Sequence, residues 1–401
     1  MMEAPSTESL DAKVQPSIRV DAKVFVSDQE SEAVIRQVLA DLGIEDFTVV
    51  TGDVLTATKL LAKQSSPQLL IVDITGIEEP LSSILDLADV CEPGVGVIVI
   101  GQSNDIALYR QLKGAGVVEY IFKPLVREQL IRACNAALTD GSDQPNLFPG
   151  KLVFVLGVRG GVGATTLATN AAWHIAEIRQ RWAALVDLDL QWGDAALLFD
   201  VAPGPALREA FERPERVDKL FLERGAIHVN KRLNMYASLE PLGTTTEGSD
   251  EGARQVLEIL LRRYRVVFVD LPGKVAEHLP QMLQLPSTCI LVANPSLTAA
   301  RDIIRWRDFL GANTRERRTL QVLNYTRPYG GLTEAEFARA SGQAPDMVIG
   351  YDRELAMAAN LGVPAMQKCT VFKYGIMPIL HEVTGERVEK PSSIFARLFG
   401  T

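Results

Sequence analysis

The chain is poor in the residues that would make it a zinc protein or a disulfide-stapled one. Its 4 cysteines, Cys91, Cys134, Cys289 and Cys369, are scattered through 401 residues without a C-x-x-C pair, so they suggest neither a zinc site nor a disulfide framework. They read as small buried residues in a reducing compartment. The opening segment "MMEAPSTESLDAKVQPS" is polar, without a basic start or an apolar core, so it does not read as a secretion signal, and residues 1–17 are expected to form a disordered arm. The longest uncharged run, Leu279 to Ala300, is broken by Pro280, Pro286, Asn294 and Pro295 and makes a poor membrane span. Positive charge is in deficit, since 41 Lys and Arg against 50 Asp and Glu leave a net −9. Such a field repels nucleic acid and anionic lipid unless a local patch overrides it. The basic clusters Arg262 to Arg265 and Arg315 to Arg318 flank predicted strands and read as solvated ends. A cytoplasmic protein that binds no nucleic acid is expected. What is present, 47% hydrophobic and 23% charged residues, suits a folded chain of two or three domains.

Two α/β units are legible. Over residues 18–140, apolar runs such as "VFVSD", "QLLIVDITG", "GVGVIVIGQS" and "GVVEYIFKPL" alternate with helical patterns such as "EAVIRQVLADLG". Continuous apolar strands between amphipathic helices predict a parallel sheet covered on both faces. Residues 141–150, rich in Gly, Pro, Asp and Ser, read as a linker. Residues 151–385 form the second unit, with strands at "LVFVLGV", "AALVDLDL", "MYASLE", "VVFVDLPG", "TCILVANP", "TLQVLNYT" and "MVIGYD". A capping box is predicted at Thr333 and Glu336. The tail, residues 386–401, carries Ile394, Phe395, Leu398 and Phe399 on one face if helical. Its own domain, a partner protein and the membrane all stay open as the place where that face packs.

The chemistry gathers at "GVRGGVGATT", a glycine loop between a strand and a helix. Gly160, Gly161, Val162 and Gly163 turn successive backbone N–H groups toward a phosphate; the following helix end adds partial positive charge, and Thr165 and Thr166 offer hydroxyls. The usual pattern G-x-x-x-x-G-K-[ST] places a lysine where this chain has Ala164. Asp187 and Asp189 close one strand and Asp270 another. Asp270, with Asp187 and Thr165, is a candidate for a magnesium shell, partly through water, and Asp189 a candidate for orienting an attacking water. Without the lysine, phosphate binding weakens by about one to two decades, and the transition state of phosphoryl transfer loses more than the ground state. The site is therefore expected to hold ATP or ADP with Mg2+ and to hydrolyse slowly at most.

The segments "RGGVGATTLATNAA", "VDLDLQWGD" and "VVFVDLPG" resemble the MinD/ParA group of deviant Walker ATPases, over about residues 151 to 366. The resemblance implies a P-loop NTPase fold with a doubly wound, mostly parallel sheet. Arg159 then stands at the group's signature-lysine position, which reaches the partner's nucleotide in a homodimer. Asn324, in "VLNYT", stands at the position that reads adenine. The first unit is similar to response-regulator receiver domains, of flavodoxin-like fold, through Asp28, Asp73 and the pair Lys123 and Pro124. It departs from them at Ser27, where a second acid is usual, and at Gly101, where a hydroxyl is usual. Constitutive targeting or dimerisation, phosphorylation-controlled switching through Asp73, and a purely structural role remain open for it.

A receiver-like unit joined to a MinD-like unit with "GGVGATT" resembles the TadZ/CpaE family of Flp (tight adherence) pilus assembly proteins. That resemblance implies recruitment to the cytoplasmic face of the inner membrane, with a cell pole among the addresses. It implies pilus secretion machinery as partner, including its secretion ATPase or platform proteins. A cycling positioning ATPase acting on DNA or a division component, and a phosphorylation-controlled regulator, are the rival readings.

Overall fold

The computed structural model describes residues 20–62, 64–138, 150–241 and 249–384. The expected arm and tail, and the expected linker up to residue 149, lie outside the described residues. The first sheet comprises β1 (Asp21–Val26), β2 (Asp46–Thr51), β3 (Leu69–Asp73), β4 (Gly96–Gly101) and β5 (Glu119–Phe122). All are parallel, in the flavodoxin-like order β2-β1-β3-β4-β5. β3 and β4 are buried at every position because helices cover both faces. β2 is an edge strand without a buried residue, and its polar surroundings hid it from pattern reading. The intervening helices are α1 (Gln29–Asp41), α2 (Val54–Leu61), α3 (Pro80–Val90), α4 (Ile106–Gly114) and α5 (Arg127–Leu138). Asp28, Asp53 and Asp105 start α1, α2 and α4 by accepting otherwise unpaired N–H groups.

The second sheet comprises β6 (Lys151–Gly157), β7 (Ala183–Asp187), β8 (Ile227–His228), β9 (Leu233–Tyr236), β10 (Val266–Pro272), β11 (Ser287–Ala293), β12 (Arg317–Asn324) and β13 (Met347–Ile349). Their order is β13-β12-β11-β6-β10-β7-β9-β8, parallel throughout except for β8 against β9. The helices are α6 (Ala164–Trp173), α7 (Ala195–Leu198), α8 (Ala206–Glu212), α9 (Lys219–Gly225), α10 (Asp250–Leu261), α11 (Gly273–Ala276), α12 (Leu297–Leu310), α13 (Glu334–Ser341), α14 (Leu355–Ala359), α15 (Val363–Met366) and α16 (Thr370–Thr384). The pleat of β6 divides its side chains between two cores. Leu152, Phe154 and Leu156 join Leu257 of α10 and Ile303 of α12, whereas Val153 and Val155 join Leu167 of α6 and Ile376 of α16. The capping box of Thr333 and Glu336 is formed. No helix among the described residues is long and apolar enough to cross a membrane.

The two sheets meet near the N-terminal ends of their strands. Arg181 Nη2 donates to Leu61 O at 2.6 Å, the N–H of Trp182 donates to Glu92 Oε1 at 3.1 Å, and Lys151 Nζ lies 3.6 Å from Asp89 Oδ1. The carboxyl ends of the strands, where open α/β sheets bind ligands, therefore lie at the far end of each sheet from this contact.

Candidate functional site

The loop after β6 enters α6 through Gly161 and Gly163, both at positive φ (74° and 90°) that glycine tolerates at no steric cost. At Gly163 a side chain has no room either, since a Cβ there would lie 2.5 Å from Asn324 Nδ2. Asn324 is buried at the end of β12, and its Nδ2 donates to Val162 O at 2.8 Å, tying that strand to the loop. One donor of the residue expected to read adenine is thus engaged with the loop backbone.

The loop forms one wall of a cleft of about 780 Å³, completed by the segments after β7, β10 and β12 and by α14. Arg159, Gly160, Gly161, Val162, Gly163, Ala164, Thr165, Thr166, Asp189, Asp270 and Asn324 all line it. Asp187 does not line it but lies beneath, where a Cβ on Gly193 would meet its Oδ2 at 2.5 Å. β7 ends at Asp187, so Asp189 sits in the loop beyond the strand rather than at its end. Its Oδ1 accepts from the N–H of Trp192 at 2.9 Å, which gives that carboxylate a loop-bracing bond.

β10 pairs with β7 so that Asp270 stands beside Asp187. Burial, and then the neighbouring charge of Asp270, pushes the Asp187 carboxyl well above the usual carboxylate range. Burial raises Asp270 as well, against the opposing pull of the Thr165 hydroxyl that bonds it. Two buried carboxyls short of positive charge, with a hydroxyl beside them, make a hard oxygen donor set that fits a divalent cation. Among the described residues no group of three or more His, Cys, Asp or Glu side chains could hold a metal by itself. Magnesium carried in with a nucleotide needs only one or two protein carboxylates.

Pattern reading missed several lining residues. Trp192 and Tyr351 give the cleft aromatic edges, and Lys274 supplies a cation from α11. Arg159, expected to point toward a partner, donates from Nε to Asp302 Oδ2 of its own chain at 2.6 Å. Asp302 had no sequence signal, being one acid within the amphipathic pattern of α12.

The receiver-like site has the opposite character. Asp73 is fully buried at the end of β3 and both its oxygens are occupied. Thr75 donates to Oδ1 from its N–H (2.9 Å) and its hydroxyl (2.6 Å). Ser27 donates to Oδ2 from its N–H and hydroxyl, and Lys123 Nζ lies 2.6 Å from Oδ2. Burial pushes this carboxyl up, yet the donors outweigh it and hold Asp73 at about 2. Lys123 also bonds Asp28 at 2.6 Å, so the three residues matched to a receiver site do meet. Where a receiver carries its hydroxyl, a Cβ on Gly101 would lie 2.8 Å from the Tyr120 hydroxyl, so Tyr120 fills that space.

No family model matches this sequence, and no curated protein does. Solved structures do. A ParA family ATPase from Chlorobium tepidum TLS superposes with a TM-score of 0.51 at 18% identity, over 58% of this chain and 98% of that one. With its glycine loop and strand-end acids, the second domain therefore has the P-loop fold of the MinD/ParA-like ATPases. A pilus assembly protein CpaE from Caulobacter crescentus CB15 is 37% identical over 29% of this chain and 92% of its own (TM-score 0.28). A structure described as a CpaE2 pilus assembly protein from Sinorhizobium meliloti 1021 is 33% identical over 29% and 99% (TM-score 0.28). Over its receiver-like N-terminal domain the chain is similar to these CpaE proteins.

Proposed function

We propose that the chain is a nucleotide-binding localisation factor for a Flp-type pilus assembly machine. Its second domain holds ATP or ADP with Mg2+, turns it over slowly or not at all, and forms a homodimer linked to nucleotide. Its receiver-like domain is a constitutive targeting module. The protein is cytoplasmic and is recruited to the inner face of the inner membrane, where it contacts the secretion machinery. The observation that carries the nucleotide reading is the pair of buried carboxyls, Asp187 and Asp270, beneath a glycine loop at the carboxyl ends of β6, β7 and β10. The pilus assignment is supported by the identity of the first domain to CpaE proteins named for pilus assembly.

In this reading the backbone N–H groups of Gly160 to Thr165 bind phosphate oxygens, while Thr165, Asp187 and Asp270 hold the cation, partly through water. A bound divalent cation would supply positive charge to the phosphate oxygens. Asp189 braces the loop through Trp192 and orients water. Ala164 leaves no fixed ammonium in the loop to stabilise charge moving toward a leaving oxygen, which disfavours rapid hydrolysis. The closed hydrogen-bond shell of Asp73 supports targeting over phosphorylation, since no carboxylate oxygen is left without a donor.

Calorimetric titration with MgATP and MgADP, combined with sedimentation, tests this. Uptake of nucleotide with turnover far below that of a lysine-bearing relative is expected. No uptake at millimolar nucleotide overturns the reading, and rapid turnover stimulated by DNA or lipid replaces it with a cycling positioning ATPase.

A further inference from the structure

If the cleft is a nucleotide site, its charge balance is unfavourable before any phosphate arrives. Asp189, Asp194, Asp270 and Asp352 line it against only Arg159 and Lys274. Arg159 is already paired with Asp302 at 2.6 Å. Among the described residues Lys274 has no carboxylate partner; only its backbone carbonyl is engaged, with His278 Nδ1 at 2.8 Å. Its side chain is exposed on the first turn of α11, directly after the strand that carries Asp270.

Register places this lysine beside the glycine loop. β10 pairs with β6 so that Pro272 stands opposite Gly157, the first residue of the loop. Gly273 follows at close quarters, since a Cβ there would lie 3.9 Å from Gly157 O and 3.0 Å from the Trp306 ring. Glycine at 273 thus lets the chain run against the loop, and Lys274 is the next residue. A lysine carries its ammonium on a flexible four-carbon stem, so it can reach phosphate from a neighbouring element as well as from the loop itself.

We propose that Lys274 supplies the ammonium that Ala164 cannot, binding the β- and γ-phosphate end of the nucleotide from α11. This rests on the reading of the cleft as a nucleotide site. A cation brought from outside the loop contributes ground-state affinity, but it is ordered only on binding and loses rotamer freedom then. It therefore gives weaker holding than a lysine fixed by the loop. Its contribution depends on phosphate number: large for ATP, smaller for ADP, and absent for AMP.

The test is calorimetric titration of the full chain, wild type and variants, with MgATP, MgADP and AMP, with circular dichroism as a check on folding. Lys274→Ala and Lys274→Gln are expected to weaken MgATP binding by about 10- to 100-fold and to leave AMP binding unchanged. Lys274→Arg retains most of the affinity, and Ala164→Lys restores it in the Lys274→Ala background. Wild-type affinity for MgATP in Lys274→Ala and Lys274→Gln overturns the proposal, as does an equal loss for AMP, which has no β- or γ-phosphate. A wild-type chain that takes up no nucleotide removes the nucleotide reading itself. That outcome is distinct from one in which wild type binds and Lys274 proves irrelevant.

Discussion

The chain carries two acidic sites of similar origin and opposite electrostatic state. Each lies at the carboxyl ends of parallel strands and each buries an aspartate there. In the first domain Asp73 is met by Ser27, Thr75 and Lys123, and its carboxyl is held at about 2. In the second, Asp187 and Asp270 lie side by side with too few donors, and burial drives both upward. A carboxylate whose partners are all internal contributes to stability and has no further call on ligand. One whose partners are missing costs stability until a cation arrives, which is the usual state of a functional site.

The largest expected effect comes from opening the closed site. Asp73→Ala leaves the Lys123 ammonium with Asp28 alone and is expected to cost about 3–5 kcal/mol, as removal of one member of a buried pair does. Urea denaturation measures it. Asp270→Asn, by contrast, should leave the nucleotide-free protein as stable or more so. Equal destabilisation by both would erase the difference between the sites.

Acid probes the buried titrating groups of both domains next. His174 is kept neutral chiefly by burial, with Arg179, Lys373 and His381 adding to the effect, and it is pushed down to about 4 from 6.5. The unfolded chain takes up that proton at higher pH than the folded one does. His174 by itself therefore subtracts on the order of 3 kcal/mol as pH falls from about 6.5 toward 4, whereas Asp187 and Asp270, raised by burial, gain stability over the same window and offset it. Asp73 is shifted below its unfolded value, so its contribution is intact above about pH 4 and is lost only as pH falls toward 2. All 4 tryptophans, Trp173, Trp182, Trp192 and Trp306, belong to the second domain, so their fluorescence follows it alone. Hydrogen exchange follows the first. A tryptophan transition between about pH 6.5 and 4 would contradict the offset in the second domain, and loss of protection in the first domain above about pH 4 would contradict the state of Asp73.

The open site can be sharpened from within. Asp270→Ala is expected to weaken Mg2+-dependent nucleotide binding about 100-fold, which is about 2.7 kcal/mol. Asp189→Asn should leave binding nearly unchanged and reduce residual turnover. Parallel titrations decide between a cation site and a pair of structural acids, for which neither change would alter binding. The smallest effect belongs to Arg159→Ala, expected to lower nucleotide affinity and dimer affinity by the same factor, about tenfold, because linked equilibria are reciprocal. Sedimentation with and without ATP checks it. A dimer indifferent to both would place self-association elsewhere, most directly in the receiver-like domain.

Much of this was legible in the chain itself. Asp187 and Asp270 were readable because each closes an apolar strand run, and the glycine loop and Thr165 because they lie between an apolar strand and a helix. Asn324 was reached only through the resemblance to the MinD/ParA group. Asp28, Asp73 and Lys123 were reached through the resemblance to receiver domains. β2 was not, because an edge strand without a buried residue carries no continuous apolar signal. Asp302 and Lys274 were invisible for a different reason. A charged residue on a helix is ordinarily solvated, and only the packing of α12 and α11 beside the loop gives these two a partner or a direction.

The sequence by itself determined the two α/β units, most of their strands and the acids Asp73, Asp187 and Asp270 that close three of them, because strand burial dictates apolar runs. Only the tertiary structure decided which of those closing acids are satisfied. Hydrogen-bond donors for Asp73 come from three separate segments, at Ser27, Thr75 and Lys123. The crowding of Asp187 arises because β10 inserts beside β7 and brings Asp270 against it. The charge state of a buried group is set by neighbours distant in the chain, and no local pattern encodes who those neighbours are.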